Sequence, residues 1–188
     1  KPSEDERLQK EQERREREAR KKDHGTLERT DTDIREAVNL WCSNRASAER
    51  EHGHISRWDV SNVTNMKELF GFKKEFNDDI SGWDVSKVTD MGRMFYGAAS
   101  FNQPLNDWDV SKVTVMGRMF YFAASFNQAL NDWDVSKVTD MGRMFYGAAS
   151  FNQPLNDWDV SEVTDVRGMF HDAASFNQPL DNRSEERR

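Results

Sequence analysis

Apolar and polar positions along this chain recur on a fixed period. Trp-Asp-Val begins at Trp58, Trp83, Trp108, Trp133 and Trp158, one copy every 25 residues. A period of that length marks a repeat architecture in which no unit can bury its apolar face alone, so stability comes from stacking the units. The unit reads WDVSKVTDMGRMFYGAASFNQPLND, and the copies at Trp83 and Trp133 agree at all 25 positions. Such identity points to recent duplication, so a column of like residues is not five independent signs that the residue matters.

Within a unit, Leu105, Trp108 and Val110 follow an L-x-x-L-x-L spacing, and Trp108 and Val110 alternate with Asp107 and Asp109 as a half-buried strand does. Ser111 then stands where it can cap a helix. Val113, Met116, Met119 and Phe120 fall at i, i+3, i+6 and i+7, which predicts a helix over roughly Lys112–Tyr121. Gly97 and Gly147 suit a left-handed stop after it, and Phe-Asn-Gln-Pro returns the chain to the next strand. The fold class expected is an α/β repeat solenoid: a right-handed, leucine-rich-repeat-like stack of five 25-residue strand-turn-helix coils over residues 55–180. Its core is expected to hold the Trp58, Trp83, Trp108, Trp133 and Trp158 column together with Val, Met, Phe and Leu columns. Gly92, Gly117 and Gly142 would let adjacent helices approach. The Asn77, Asn102, Asn127, Asn152 and Asn177 column would satisfy backbone groups inside the turn.

Residues 30–54 read as an N-terminal capping helix and linker. Ile34, Ala37, Val38 and Trp41 form an i, i+3, i+4, i+7 stripe, with Thr30 and Asp33 spaced as a capping box. Residues 1–29 form a charged extension, helical or disordered, since Ser3–Lys22 offers only Leu8 and Ala19 as apolar interruptions. Residues 181–188 form a polar tail, where Arg183 and Glu185 replace the expected Trp and Val.

Composition narrows the function classes. The 188 residues are 36% hydrophobic and 32% charged, a lean allowance for a closed enzyme domain. Lys and Arg number 27 against 34 Asp and Glu, which disfavours bulk electrostatic binding to nucleic acid. No stretch approaches the 18 apolar residues of a membrane span. A single cysteine, Cys42, forms no intramolecular disulfide and reads as a half-buried passenger beside Trp41. The sequence starts without Met or a signal-peptide hydrophobic region, as expected of a mature chain or a fragment, and leaves the compartment unread.

Candidate chemistry is sparse. His24, His52, His54 and His171 are scattered, and the His52/His54 pair is a weak metal signal. No phosphate loop, zinc-knuckle spacing or triad signature occurs, so neither an enzyme nor a cofactor is expected. Asp59, Asp84, Asp109, Asp134 and Asp159 should stack as an acidic ladder, with Asp107, Asp132 and Asp157 beside them. At about 4.8 Å two unit charges in water repel by roughly 0.9 kcal/mol, so the ladder needs cations, a basic partner, or hydrogen bonds from its own backbone and Ser residues. Asn62-Val-Thr and Asn182-Arg-Ser are glycan acceptors only if the chain is secreted. The middle unit departs from its neighbours at Val115, where they carry Asp90 and Asp140, and at Phe122, where they carry Gly97 and Gly147. On the expected helix both face outward, flanked by Arg93, Arg118 and Arg143. Drift after duplication is one explanation; an apolar docking spot with an arginine rim is the other.

The phrases WDVSKVTDM, GRMFYGAASFNQPL and the divergent WDVSNVTNM resemble the repeat of BspA-like leucine-rich-repeat surface proteins, also described as a mycoplasma-lipoprotein-type repeat of unknown function. The resemblance covers about Ile55–Leu180. It implies a solenoid, often at the cell surface or secreted, with adhesion or protein binding proposed and no catalytic residues to transfer. The expected function is a non-catalytic scaffold for protein–protein interaction or surface adhesion, working as a monomer, and its alternative is a cation- or glycan-binding module using the acidic strand face.

Overall fold

The computed structural model describes residues 27–179. The 1–29 extension falls almost wholly outside that range, as do Leu180, the 181–188 tail and the sequon at Asn182. The first elements are β1 (Glu28–Thr30), α1 (Ile34–Ser43), α2 (Arg45–His52), a 3-10 turn (Ile55–Arg57) and β2 (Asp59–Asn62). β1 and β2 pair in parallel, Glu28 opposite Asp59 and Thr30 opposite Asn62. The stripe of α1 is buried as its spacing demands, with Ile34, Ala37, Val38 and Trp41 all inside. Asp33 is the N-cap residue, and its carboxylate accepts the Thr30 N–H at 2.7 Å. The expected linker contains a second helix, α2, capped by Asn44, whose side chain accepts the Ser47 N–H. Cys42 is exposed rather than half-buried.

Beyond β2 the chain makes 25-residue coils, here numbered one to five by their tryptophans. No helix forms over Lys112–Tyr121 or its counterparts; those segments are successive tight turns. The backbone hydrogen bonds give the reason. In coil two the N–H groups of Met94, Tyr96 and Ala98 donate to the carbonyls of Met91, Arg93 and Phe95, three residues back. Those of Met91, Arg93, Phe95 and Gly97 donate instead to Val115, Gly117, Met119 and Tyr121 of the next coil. Alternate amides thus close a turn and bind the neighbouring coil, whereas an α-helix would spend every one internally. The turns require a left-handed residue at two places in each coil: Arg93, Arg118 and Arg143 have φ near +56 (56, 57 and 55°), and Gly97, Phe122 and Gly147 have φ of 67, 52 and 65°. Apolar residues spaced by three fit this path as well as they fit a helix.

The strand expected at Trp-Asp-Val exists only in coil one, as β2. The parallel bridges that link all five coils lie further along, joining Asn65, Asp90, Val115, Asp140 and Asp165 in sequence. Between coils the core is a set of ring and side-chain stacks. Phe95, Phe120 and Phe145 lie 5.5 Å apart and within 6° of parallel, while Phe126 lies 4.0 Å from Phe120 in the same coil. Each repeat tryptophan is buried, and the indole N–H of Trp133 donates to the Leu105 carbonyl at 2.8 Å, as that of Trp158 does to Leu130. The Asn column joins coils rather than closing its own turn. The Asn127 N–H donates to Asn102 Oδ1 at 2.9 Å, and Gln128 Nε2 donates to the same oxygen at 3.0 Å.

Candidate functional site

The aspartates of the bridging column decide the shape of the face beside them. Asp90 Oδ1 accepts the Gly92 N–H at 2.8 Å and Asp140 Oδ1 accepts that of Gly142 at 2.9 Å. Asn65 does the same for Lys67, and Asp165 for Arg167. Four coils therefore close this short turn with a side-chain oxygen, the Asx geometry in which a carboxylate substitutes for a backbone acceptor. Val115 has no such oxygen. The Gly117 N–H accordingly meets no acceptor among the described residues.

Glycine at the next column is a matter of space. A Cβ on Gly117 would lie 2.6 Å from Asp140 Oδ2, and one on Gly142 would lie 3.0 Å from Asp165 Oδ2. Asp140 and Asp165 of the following coils thus occupy the room a side chain would need at Gly117 and Gly142, while at Gly92 it is Val115 Cγ1 that would lie 3.3 Å away; the column carries side chains at Lys67 and Arg167, in the first and fifth coils. The left-handed arginines follow immediately.

These columns enclose an open groove of about 500 Å³ that crosses the coils. It gathers Val115, Arg93, Arg118 and Arg143, the residues singled out from the repeat mismatches, with Lys67 and Arg167 at its ends. Asp140 and Asp165 lie on its floor, so five cations face two carboxylates on a chain whose net charge is −7. Arg93 pairs with Glu68 at 2.6 Å and Arg167 with Asp165 at 2.8 Å. Among the described residues Arg118 and Arg143 pair with no carboxylate. The Arg167 side chain, followed by its N–H, holds the Asp165 carboxyl at about 2, well below the usual carboxylate range.

Phe122 is not part of that groove. It stands 49% exposed, edge-on to Tyr121 and Tyr146 at 4.8 and 5.6 Å, and its ring covers Gly147. Phe72 occupies the same place in coil one, 71% exposed, over Gly97. The outward direction expected for Val115 on a helix is replaced by a half-buried one, its Cγ1 lying over Gly92. A second hollow, of about 270 Å³, lies between Phe72, Tyr96, Arg93 and Arg118. Tyr96, Tyr121 and Tyr146 stack face to face at 4.7 and 4.8 Å beside it. The sequence held a signal for Lys67 and Arg167, since both lie in the 25-residue register of Gly92, Gly117 and Gly142. The empty turn at Gly117 has none, because it shows only against the Asx bonds of the other four coils.

The ladder of Asp59, Asp84, Asp109, Asp134 and Asp159 is exposed, on the Trp-Asp-Val segments, and each carboxylate turns back on its own coil. Each accepts the N–H of the Ser two residues on, at 3.0 Å for Ser61 and 3.1 Å for Ser86, Ser111, Ser136 and Ser161. The Ser hydroxyls, and then these N–H groups, hold the carboxyls of Asp84, Asp109 and Asp134 below their ordinary value. In the neighbouring column Asn106 Nδ2 donates to Asp132 and Asn131 Nδ2 to Asp157. Among the described residues no group of three or more His, Cys, Asp or Glu is placed to share a metal ion. His52 Nδ1 meets the Arg29 guanidinium at 3.2 Å, and His54 lies between Arg45 and Ser56. Asn62 Oδ1 accepts from Lys87 Nζ. No helix among the described residues is long and apolar enough to cross a membrane.

Stacked 25-residue coils with one continuous charged groove define a repeat protein whose conspicuous surface is a groove rather than a closed pocket. The chain matches, over residues 41–149 and again over 107–186, the family described as Mycoplasma protein of unknown function, DUF285, and it belongs to that family. No curated protein and no solved structure matches it.

Proposed function

We propose that the chain is a non-catalytic solenoid scaffold that binds another protein along the arginine groove, in the manner implied by its resemblance to BspA-like leucine-rich-repeat surface proteins. Adhesion at a cell surface is the biological setting that this resemblance suggests. The observation that carries the reading is the gathering of Val115, Arg93, Arg118 and Arg143 into one open groove, with Phe72 and Phe122 exposed on a neighbouring column. An apolar centre with arginine around it and aromatic anchors nearby is the composition of protein-binding patches. The groove's length suits an extended or flat partner better than a small substrate, which binds in concave and mostly apolar sites.

The test is a pull-down from the native source comparing the wild-type chain with the double substitution Val115→Asp and Phe122→Gly. Both changes install residues that coils two and four already carry, so the fold should persist. The expected result is loss of captured proteins; an unchanged set would refute the reading.

A further inference from the structure

Coil three differs from every other described coil at one hydrogen bond. Asn65, Asp90, Asp140 and Asp165 each supply an oxygen to the N–H two residues on; Val115 supplies none, and the Gly117 N–H is left without an acceptor on the lining of the groove. The same substitution deletes one negative charge between Arg93 and Arg143. Of the groove's four arginines, Arg118 and Arg143 form no ion pair with a carboxylate among the described residues, although the Arg143 charge helps to hold the Asp165 carboxyl low. One donor, two unpaired guanidinium groups and a missing carboxylate coincide at a single place.

We propose that this notch receives a carboxylate from an acidic, extended segment of a protein partner. The incoming Asp or Glu accepts the Gly117 N–H and pairs with Arg118 and Arg143, completing in trans the turn that the other coils complete in cis. This rests on the protein-binding reading above and gives its partner a chemistry. Charged hydrogen bonds from arginine and backbone amides are the strong class of polar contact. Neighbouring carboxylates do not forbid the arrangement, because Asp140 and Asp165 already sit on adjacent coils, joined by a parallel bridge. The floor also decides between acidic ligands. A polymer with a phosphate or sulfate at every unit would lay charge directly against Asp140 and Asp165, whereas a peptide can alternate carboxylates with apolar residues that rest on Val115.

Fluorescence anisotropy of a labelled decapeptide alternating Glu and Ala, titrated with the whole chain, tests this. The wild type should bind saturably, and the same peptide with Gln in place of Glu should not. Val115→Asp fills the notch with the chain's own carboxylate and should weaken binding by about ten-fold or more, as should Arg118→Gln with Arg143→Gln. A circular-dichroism melt of Val115→Asp at or above the wild-type midpoint separates blocked binding from unfolding. Equal binding by Val115→Asp, tighter binding of decathymidylate or a heparin fragment than of the Glu peptide, or no binding at all would each overturn the proposal. If the peptide fails while the pull-down still responds to the double substitution, the scaffold reading survives and the carboxylate inference falls.

Discussion

At the scale of single residues, position in the stack can outweigh identity in the sequence. Gly97 and Gly147 occupy the same place in two units that agree at all 25 positions, and both have positive φ. Their surroundings differ because the preceding coils differ. A Cβ on Gly97 would lie 3.4 Å from Phe72 Cδ1, an ordinary contact, whereas on Gly147 it would lie 2.4 Å from Phe122 Cδ1. Gly97→Ala should therefore cost only the left-handed backbone penalty, on the order of 1 kcal/mol. Gly147→Ala should cost more, and Phe122→Gly should remove the excess. Urea unfolding of the two single variants and the double variant measures the coupling, since residues in contact show non-additive stability changes. Additive effects at Gly147 and Phe122 would show that the ring yields freely. The cycle also bears on the origin of Phe122: Phe alternates with Gly through the first four coils at this column, so the mismatch with its neighbours belongs to a pairing of successive coils.

Among elements, what was legible in the sequence was the columns, and what was not was the path between them. The 25-residue register places the five repeat Trp, the Asn column and the arginine groove, because stacking aligns like positions whatever conformation links them. Turns stand where the spacing predicts a helix over Lys112–Tyr121, because a spacing of three is shared by helices and by consecutive turns. Only the destination of each amide separates the two, and half of them leave for a residue 24 positions on. The capping segment shows the complementary lesson. Its apolar stripe was readable, but its polar work was not: Asp31 accepts the N–H groups of Thr64 and Asn65 at 2.8 and 3.0 Å, standing in for the Thr carbonyl that each later coil finds in its predecessor, and Arg35 donates to the Lys67 carbonyl. Together they close an edge that would otherwise present unpaired strand-like groups. Asp31→Ala should cost about 0.5–2 kcal/mol, as loss of a capping side chain does. Burial pushes the Asp31 carboxyl up, but the Thr64 hydroxyl, the two N–H groups and Arg35 outweigh it, and its folded-state value is lowered. Its stabilisation is therefore present above the unfolded-state value and is lost as pH falls through the folded one. The gap between wild type and variant should narrow on acidification, read from urea midpoints at neutral pH and below pH 3.

Over the whole molecule, stability is a sum of coil-to-coil interfaces, so an interior coil supports two and a terminal one fewer. Trp108 lies in the middle, 3% exposed, and its indole N–H reaches the Ile80 carbonyl of the adjacent coil at 3.3 Å. Trp108→Ala would open a cavity in the tryptophan column and remove one of the two hydrogen bonds that carbonyl accepts, the other coming from the Trp83 N–H, at a cost of roughly 3–5 kcal/mol. For a chain of this length that corresponds to a midpoint lowered by roughly 6–20 °C. Trp158 makes the same bond to Leu130, yet its coil is looser: Val160 and Val166 are 49% and 55% exposed, whereas their counterparts Val110 and Met116 are buried. Trp158→Ala should accordingly lower the midpoint less than Trp108→Ala, because neighbours that are already half in water lose less when the ring is removed. Circular-dichroism melts of both variants beside the wild type decide the matter. A Trp108→Ala midpoint within a degree of wild type would contradict the column as the spine of the stack, and equal losses at the two sites would contradict a stability built from interfaces.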